Sequence, residues 1–449
     1  MRPVRNGDAG PLRRAVLAGL VLALVPASGC TSDIWLGSEE TPLAGERIAV
    51  SERNDVLEAS GGGPIAIPEP EVNPSWSQPG GNAANAPQHL AAGASLSRGW
   101  SASAGTGSSS YGRLTSPPIV IGDTLFALDA TARVTAISAR GGAQLWRVSL
   151  ARENEEAEGG FGGGITADFG RIVVATGFGD VFGLDPASGQ RLWHRDFGLP
   201  IRAAPTASNG RVYVITINNE VHCLDIETGE VIWDFRRYSE SAGLLASTSP
   251  AVADGIVVVP YRSGELLAFD AETGQPAWGD TLTRTGAQSS LSTINDIAGR
   301  PAIAGGVVFA ISHSGRIAAI DLKEGTRLWE RNIASTQTPW VAGGTLFVAA
   351  TDGRVTALDA GDGSVKWVTS LPQYEDPADR SGRILYSGPI LAGGRLLIVS
   401  SNGALIEIAP ETGAIIGQTS IGKRFYIPPV VASGSVYLLA DDATVVAMR

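Results

Sequence analysis

One phrase recurs along this chain. GLDPASGQRLW ends at Trp193, CLDIETGEVIW at Trp233, AFDAETGQPAW at Trp278, AIDLKEGTRLW at Trp329 and ALDAGDGSVKW at Trp367. In each, an Asp stands eight residues before the Trp (Asp185, Asp225, Asp270, Asp321, Asp359), and a Gly four before it (Gly189, Gly229, Gly274, Gly325, Gly363). Five matches in one register identify a repeat protein. The Asp and Gly mark a tight turn between two strands, where Gly supplies a positive φ and Asp accepts hydrogen bonds from nearby backbone amides.

A whole unit, read from Pro250, is PAVADG, IVVVPYRSG, ELLAFDAETG and QPAWGDTL, which is four short strands with tight turns. Successive Trp residues from Trp146 to Trp367 lie 38 to 51 residues apart, the length of a β-propeller blade. Units open near residues 118, 164, 205, 250, 301, 339 and 389. The seventh keeps PETG at 410–413 but has Gly417 where the Trp should stand. An eighth opens at Pro429 and stops after its third strand, while LSRGWSASAG places Trp100 46 residues before Trp146. The reading is all-β: an eight-bladed propeller of four-stranded blades, closed by an N-terminal strand that completes the last blade. Each Trp docks one blade on the next, with an upper bound of about 4–6 kcal/mol for burying roughly 150–250 Å².

The N-terminus reads as a targeting segment. Arg13 and Arg14 precede AVLAGLVLALV at 15–25. That run rises about 16 Å as a helix, too short for a bilayer core of roughly 30 Å. It ends at Ala27-Ser28-Gly29-Cys30, which resembles a bacterial lipoprotein cleavage site with Cys30 as the acylated residue; ordinary cleavage after Gly29 is the alternative. Thr31 after the cysteine implies sorting to the outer membrane in such lipoproteins. The expected organisation is therefore a signal peptide at 1–29, a lipidated, flexible tether at 30–75 and the propeller at 76–449. The formal charge of −11, and about −14 after cleavage, argues against nucleic acid. With Cys30 acylated, Cys223 in VHCLDI has no disulfide partner and reads as a small buried thiol.

The AxDxxTGxxxW repeat is similar to that of propellers in the pyrroloquinoline-quinone dehydrogenase superfamily, which hosts quinone enzymes and the lipoprotein propellers of the outer-membrane β-barrel assembly machinery. With its lipoprotein signal, PLAGERIAV at 42–50, WSQPGGN at 76–82 and eight blades, the whole chain resembles the second group, the BamB family in its α-proteobacterial form. The resemblance implies a non-enzymatic scaffold on the periplasmic face of the outer membrane, anchored by its acyl chains. Its implied partners are the periplasmic domains of a barrel-forming assembly pore and nascent barrel proteins.

No Cys-Cys pair is present, the turn aspartates are dispersed one per blade, and the four histidines (His89, His194, His222, His313) show no ligand spacing. No cofactor or metal is therefore expected. The histidines read as surface or turn residues, GGFGGG at 159–164 as tight packing and RENEEAE at 152–158 as a solvated loop. A quinone-dependent dehydrogenase and a general interaction propeller stay open as alternatives.

First-to-second and third-to-fourth turns share one face of such a ring and are short here. The inter-blade connections share the other face and vary from 10 to 23 positions between Trp and blade-opening Pro. A rigid scaffold with variable loops on one side is the usual arrangement for binding. In the family, the loops between blades three and four and between four and five contact the pore. The resemblance carries these contacts to Leu244 in AGLLASTSP and Asp296 in INDIAGRP. A family arginine falls on Leu245 and a second aspartate on Ala298, so the charge pairing changes while Leu245 makes the patch more apolar.

Overall fold

Strands that are apolar on both sides need cover on both sides. In the computed structural model the two middle strands of each blade, such as Arg211–Ile215 and Glu220–Asp225, are buried almost throughout, because a neighbouring blade covers either face. The outermost strands, such as Val231–Arg236, expose every second residue or more. The structure describes residues 57–59, 63–153, 155–236, 248–283 and 297–449, all within the compact unit Asp55–Arg449.

Seven four-stranded antiparallel blades follow one another at 119–149, 163–196, 206–236, 251–281, 302–331, 340–370 and 386–420. The eighth takes Val430–Ala432, Ser435–Leu439 and Thr444–Met448 from the C-terminus and Arg98–Ser103 from the N-terminus. Trp100 pairs opposite Ala447, as the repeat spacing predicts, and the ring closes between the two ends of the chain. Apolar clusters lie between adjacent blades; one joins Val258, Leu266 and Ala268 of the fourth to Ile303, Val308 and Ile320 of the fifth.

Each repeated Trp reaches the following blade. The indole Nε1 donates to the carbonyl of the residue just after that blade's turn Asp: Trp146 to Pro186 at 3.0 Å, Trp193 to Ile226 at 2.9 Å, Trp278 to Leu322 at 2.7 Å and Trp329 to Ala360 at 2.9 Å. The turn glycine has a second duty beyond its φ of +69° to +77°. A Cβ on Gly325 would stand 2.5 Å from the ring of Trp278, and one on Gly189 2.7 Å from that of Trp146. The ring of one blade thus lies flat on the turn of the next.

The exception explains itself. The third and fourth strands of blade eight come from opposite ends of the chain, so no turn joins them, and a Trp in blade seven would have no glycine to rest on. Gly417 occupies that position, opposite Glu407.

The tether was expected to end at residue 75, but contacts with the ring begin earlier. Leu57 is buried in a cluster with Trp329 and Val365, Lys366 Nζ reaches Gly63 O at 3.5 Å, and Ile65 and Ile67 pack on the core. Isolated apolar residues among prolines carry no periodicity, so composition alone hid them.

Residues 73–92 then circle the centre and bond to every blade in turn. Asn73 Nδ2 donates to Val431 O of blade eight at 2.6 Å, and Ser75–Trp76 adds a fifth strand to blade one beside Ile119–Ile121. Ala167 N of blade two donates to Ser77 O at 2.9 Å, and Ala207 N of blade three to Gln78 Oε1 at 3.0 Å. Val252 N and Ile303 N, of blades four and five, donate to Ala83 O and Ala84 O at 2.8 Å each. Trp340 Nε1 of blade six donates to Gln88 O at 2.9 Å, and Leu90 N to Leu391 O of blade seven at 3.1 Å. WSQPGGN, which carried part of the family resemblance, is the first half of this inner lace. Its small residues leave room for the lace's own side chains: a Cβ on Gly80 would collide with the side chain of Asn85.

Candidate functional site

The lace lies toward the first-to-second turns, touching Gly393 and Ser433. It therefore closes the centre from the turn face and leaves a cup open to the connection face. The cup has a volume of about 350 Å³. Its floor is Trp76, Pro79, Gly80 and Asn85 of the lace; its wall is formed by residues at or just before the inner strands of blades five to eight and one. Trp76 stacks on Trp340 with ring centroids 6.4 Å apart and planes 12° apart, which makes the floor rigid. Arg300 is the one cation among the described lining residues, and Ala298 beside it is buried.

Three long connections were expected to gather on this face. The strand ends that flank two of them, Arg236 and Ala251 for one and Thr281 and Ala302 for the other, belong to the outer and inner strands whose connections define it. Leu244, Leu245 and Asp296 lie outside the described residues, as does Cys30. The third connection is a small exposed hairpin, Tyr374–Asp376 with Ser381–Arg383, held by Arg383 donating to Thr351 O at 2.8 Å.

A fourth connection, between blades one and two, corrects the reading of 152–158 as a merely solvated loop. Arg152 donates to Asp180 at 2.8 Å and to Asp196 at 2.7 Å, and His194 bonds Asp180 at 2.7 Å. Burial would raise the Asp180 carboxyl, but the hydrogen bonds from Arg152 and His194 outweigh it and hold it below the usual carboxylate range. The carboxylates that follow Arg152, Glu153 and Glu155, stay exposed. The glycine run beyond is tight packing, as expected. A Cβ on Gly160 would stand 1.9 Å from Phe178, and one on Gly164 2.4 Å from Ala204. The Arg202 guanidinium carbon sits 4.1 Å over the Phe161 ring and pins this loop to the next one.

Two histidines depart from expectation. His89 and His222 are buried, at 4% and 5% exposed, and not surface residues. His89 is a joint of the lace: its Nδ1 lies 2.6 Å from Pro68 O, and its Nε2 accepts from Gly394 N at 2.9 Å. His222 packs against Phe197, and desolvation lowers its pKa from the ordinary histidine value. Cys223 is fully buried opposite Trp233, where the other Trp-bearing blades carry Ala or Gly, and burial pushes its thiol up to about 12. No group of three or more His, Cys, Asp or Glu among the described residues is placed to hold a metal. The turn aspartates accept local bonds, as in Asp270 Oδ1 from Thr273 N at 2.8 Å. The cup and Arg300 escaped the sequence reading, because an Arg before a blade-opening Pro carries no spacing signal; only the lace turns that position into a cavity wall.

A family model described as outer membrane protein assembly factor BamB matches residues 130–369 and 375–449, more than half of the chain. The chain belongs to this family. A BamB family member of Yersinia pestis, named outer membrane protein assembly factor BamB, is 27% identical over 353 residues, 78% of this chain and 87% of its own length. The crystal structure of BamB from Moraxella catarrhalis superposes with a TM-score of 0.65 at 19% identity, covering 79% of this chain and all of that one. Quinohemoprotein alcohol dehydrogenase from Comamonas testosteroni superposes nearly as well, with a TM-score of 0.63 at 14% identity over 84% of this chain and 80% of that one. At these identities the likenesses of structure speak for the fold, which scaffold and enzyme share; the family match is to an assembly factor.

Proposed function

We propose that the protein is a scaffold of outer-membrane protein assembly, and that it works by binding and not by catalysis. The observation that carries this is the family match over most of the propeller, combined with a ring whose long, variable loops are all connections on one face. In this reading Cys30 carries the acyl chains that tether the ring to the periplasmic face of the outer membrane. Gly63, Ala66 and Pro68 lie along the turn face of the ring, and in this reading that is the side the tether serves. The connection face, with Leu244, Leu245 and Asp296 on its loops, receives the soluble domains of a barrel-forming assembly pore.

The outer edges of the blades are poor templates for a nascent strand. Every outer strand of blades one to seven is bulged near its start, at the Trp or its equivalent, a device that discourages edge pairing. Clients are therefore reached through the pore and not by strand addition along the rim. The test is affinity purification of the native protein from detergent-solubilised envelopes, with mass spectrometry of what comes with it. Recovery of a large barrel protein with periplasmic repeat domains supports the scaffold; consistent recovery of unrelated partners, or a quinone chromophore on the protein, overturns it.

A further inference from the structure

The cup has chemistry that the scaffold reading does not use. Arg300 is only 8% exposed, and its Nε has no hydrogen-bond partner among the described residues. Trp76 Nε1, in the floor of the same cup and on a side chain 1% exposed, also lacks an acceptor there. No Asp or Glu is among the described residues of the lining. Burial lowers the Arg300 guanidinium to about 10, with no acidic neighbour among the described residues acting against it. Buried donors are nearly always satisfied, and an unpaired buried cation is costly to keep. Two such donors on residues that line one cavity mark a place built for an acceptor.

Size and shape narrow the choice. A cavity of about 350 Å³ is at the small end of ligand sites, which run from roughly 300 to 1,000 Å³. A single planar guanidinium matches a single carboxylate through paired hydrogen bonds. Pro117, Pro389, Pro428 and Tyr426 supply an apolar wall. The protein's charge of −11 would otherwise repel anions, so capture depends on this site and not on a general field. We propose that the central cup binds a small organic monocarboxylate, with its carboxylate on Arg300 and its apolar body against the proline wall. The site stands on the geometry of the ring alone and does not depend on the assembly reading.

The probe is 4-fluorobenzoate, followed by fluorine NMR against the full chain purified in detergent, with 4-fluorobenzamide as the uncharged isostere. Saturable broadening of the acid, at least tenfold weaker for the amide, is expected. Arg300→Met should weaken acid binding at least tenfold. Thr338→Phe keeps the cation but fills the cup, and should do the same, so a folding defect from losing Arg300 does not decide the matter. Melting curves of both variants check that the ring is intact. Equal broadening by acid and amide, acid binding that survives both variants, or no binding at millimolar acid overturns the proposal.

Discussion

The turn face and the connection face of this ring obey different rules. On the turn face, seven third-to-fourth turns repeat nearly one geometry, with glycines at φ of +69° to +77°, six of them under the Trp of the blade before and Gly142 under Trp100 of the closing strand. The lace and the incoming chain bond to the same side. On the connection face the described links differ: one is a hairpin, one is clamped by Arg152, and on the same face opens a cup lined by Arg300, whose Nε has no partner among the described residues. Repetition where blades dock, and variety where they do not, is what a scaffold needs. Packing constrains the first face to one solution, while solvent leaves the second free to match a partner.

That contrast can be broken at graded strengths. Trp278→Ala removes the ring on Gly325 and its bond to Leu322, and should cost about 3–5 kcal/mol in denaturant melts. Gly325→Val forces a side chain into the same ring at positive φ and should cost about 3 kcal/mol, whereas Gly305→Ala, at φ +58° with open space around it, should cost only about 1 kcal/mol. Equal losses at the two glycines would mean that backbone strain, and not the Trp seat, sets the demand for Gly. Gln78→Ala strips the lace of its bonds to Ala167 and Ala207 and leaves the Ala207 amide buried and unpaired, for about 2–3 kcal/mol. Gly417→Trp should give no stabilisation at all, because blade eight has no turn to receive the ring; a gain above about 1 kcal/mol would contradict the account of the missing Trp.

Acid should act on the turns last. Hydrogen bonds from the hydroxyls and amides of Ser188, Thr228 and Thr273 hold Asp185, Asp225 and Asp270 below the ordinary carboxylate range. A depressed carboxyl pKa stabilises the fold above the unfolded value of about 3.9, and that stability is lost as pH falls through the folded value. Burial depresses His222 in the same sense from about 6.5. Urea midpoints should therefore hold from pH 8 to 7, slip slightly below about 6.5 and fall steeply below about 4.

How much of this was legible in the sequence follows from where periodicity reaches. The blades, their number and the closing strand with Trp100 were readable, because Asp, Gly and Trp recur at fixed spacing and each blade must dock on the next. The meaning of Gly417 was not, since a missing Trp is explained only by the missing turn across the closure. The lace was invisible for a related reason: Gln78, Asn85 and His89 each bond to different blades, so nothing in their local spacing repeats. Arg300 belongs with them, an ordinary residue by spacing and a cavity wall only once residues 76–85 lie beneath it. Leu244, Leu245 and Asp296 rest on the family resemblance and on the face their flanking strands define.

The most direct measurement compares the faces in one binding experiment. The protein is immobilised by its own tether and exposed to the purified periplasmic domains of the assembly pore, once with Leu244→Asp and Leu245→Asp together and once with Phe169→Asp. Phe169 is 65% exposed on a first-to-second turn of blade two, on the turn face. Binding reduced at least tenfold by the loop pair and unchanged by Phe169→Asp is the expected result. Loss from Phe169→Asp with the loop pair still binding would put the partner on the turn face and contradict the account.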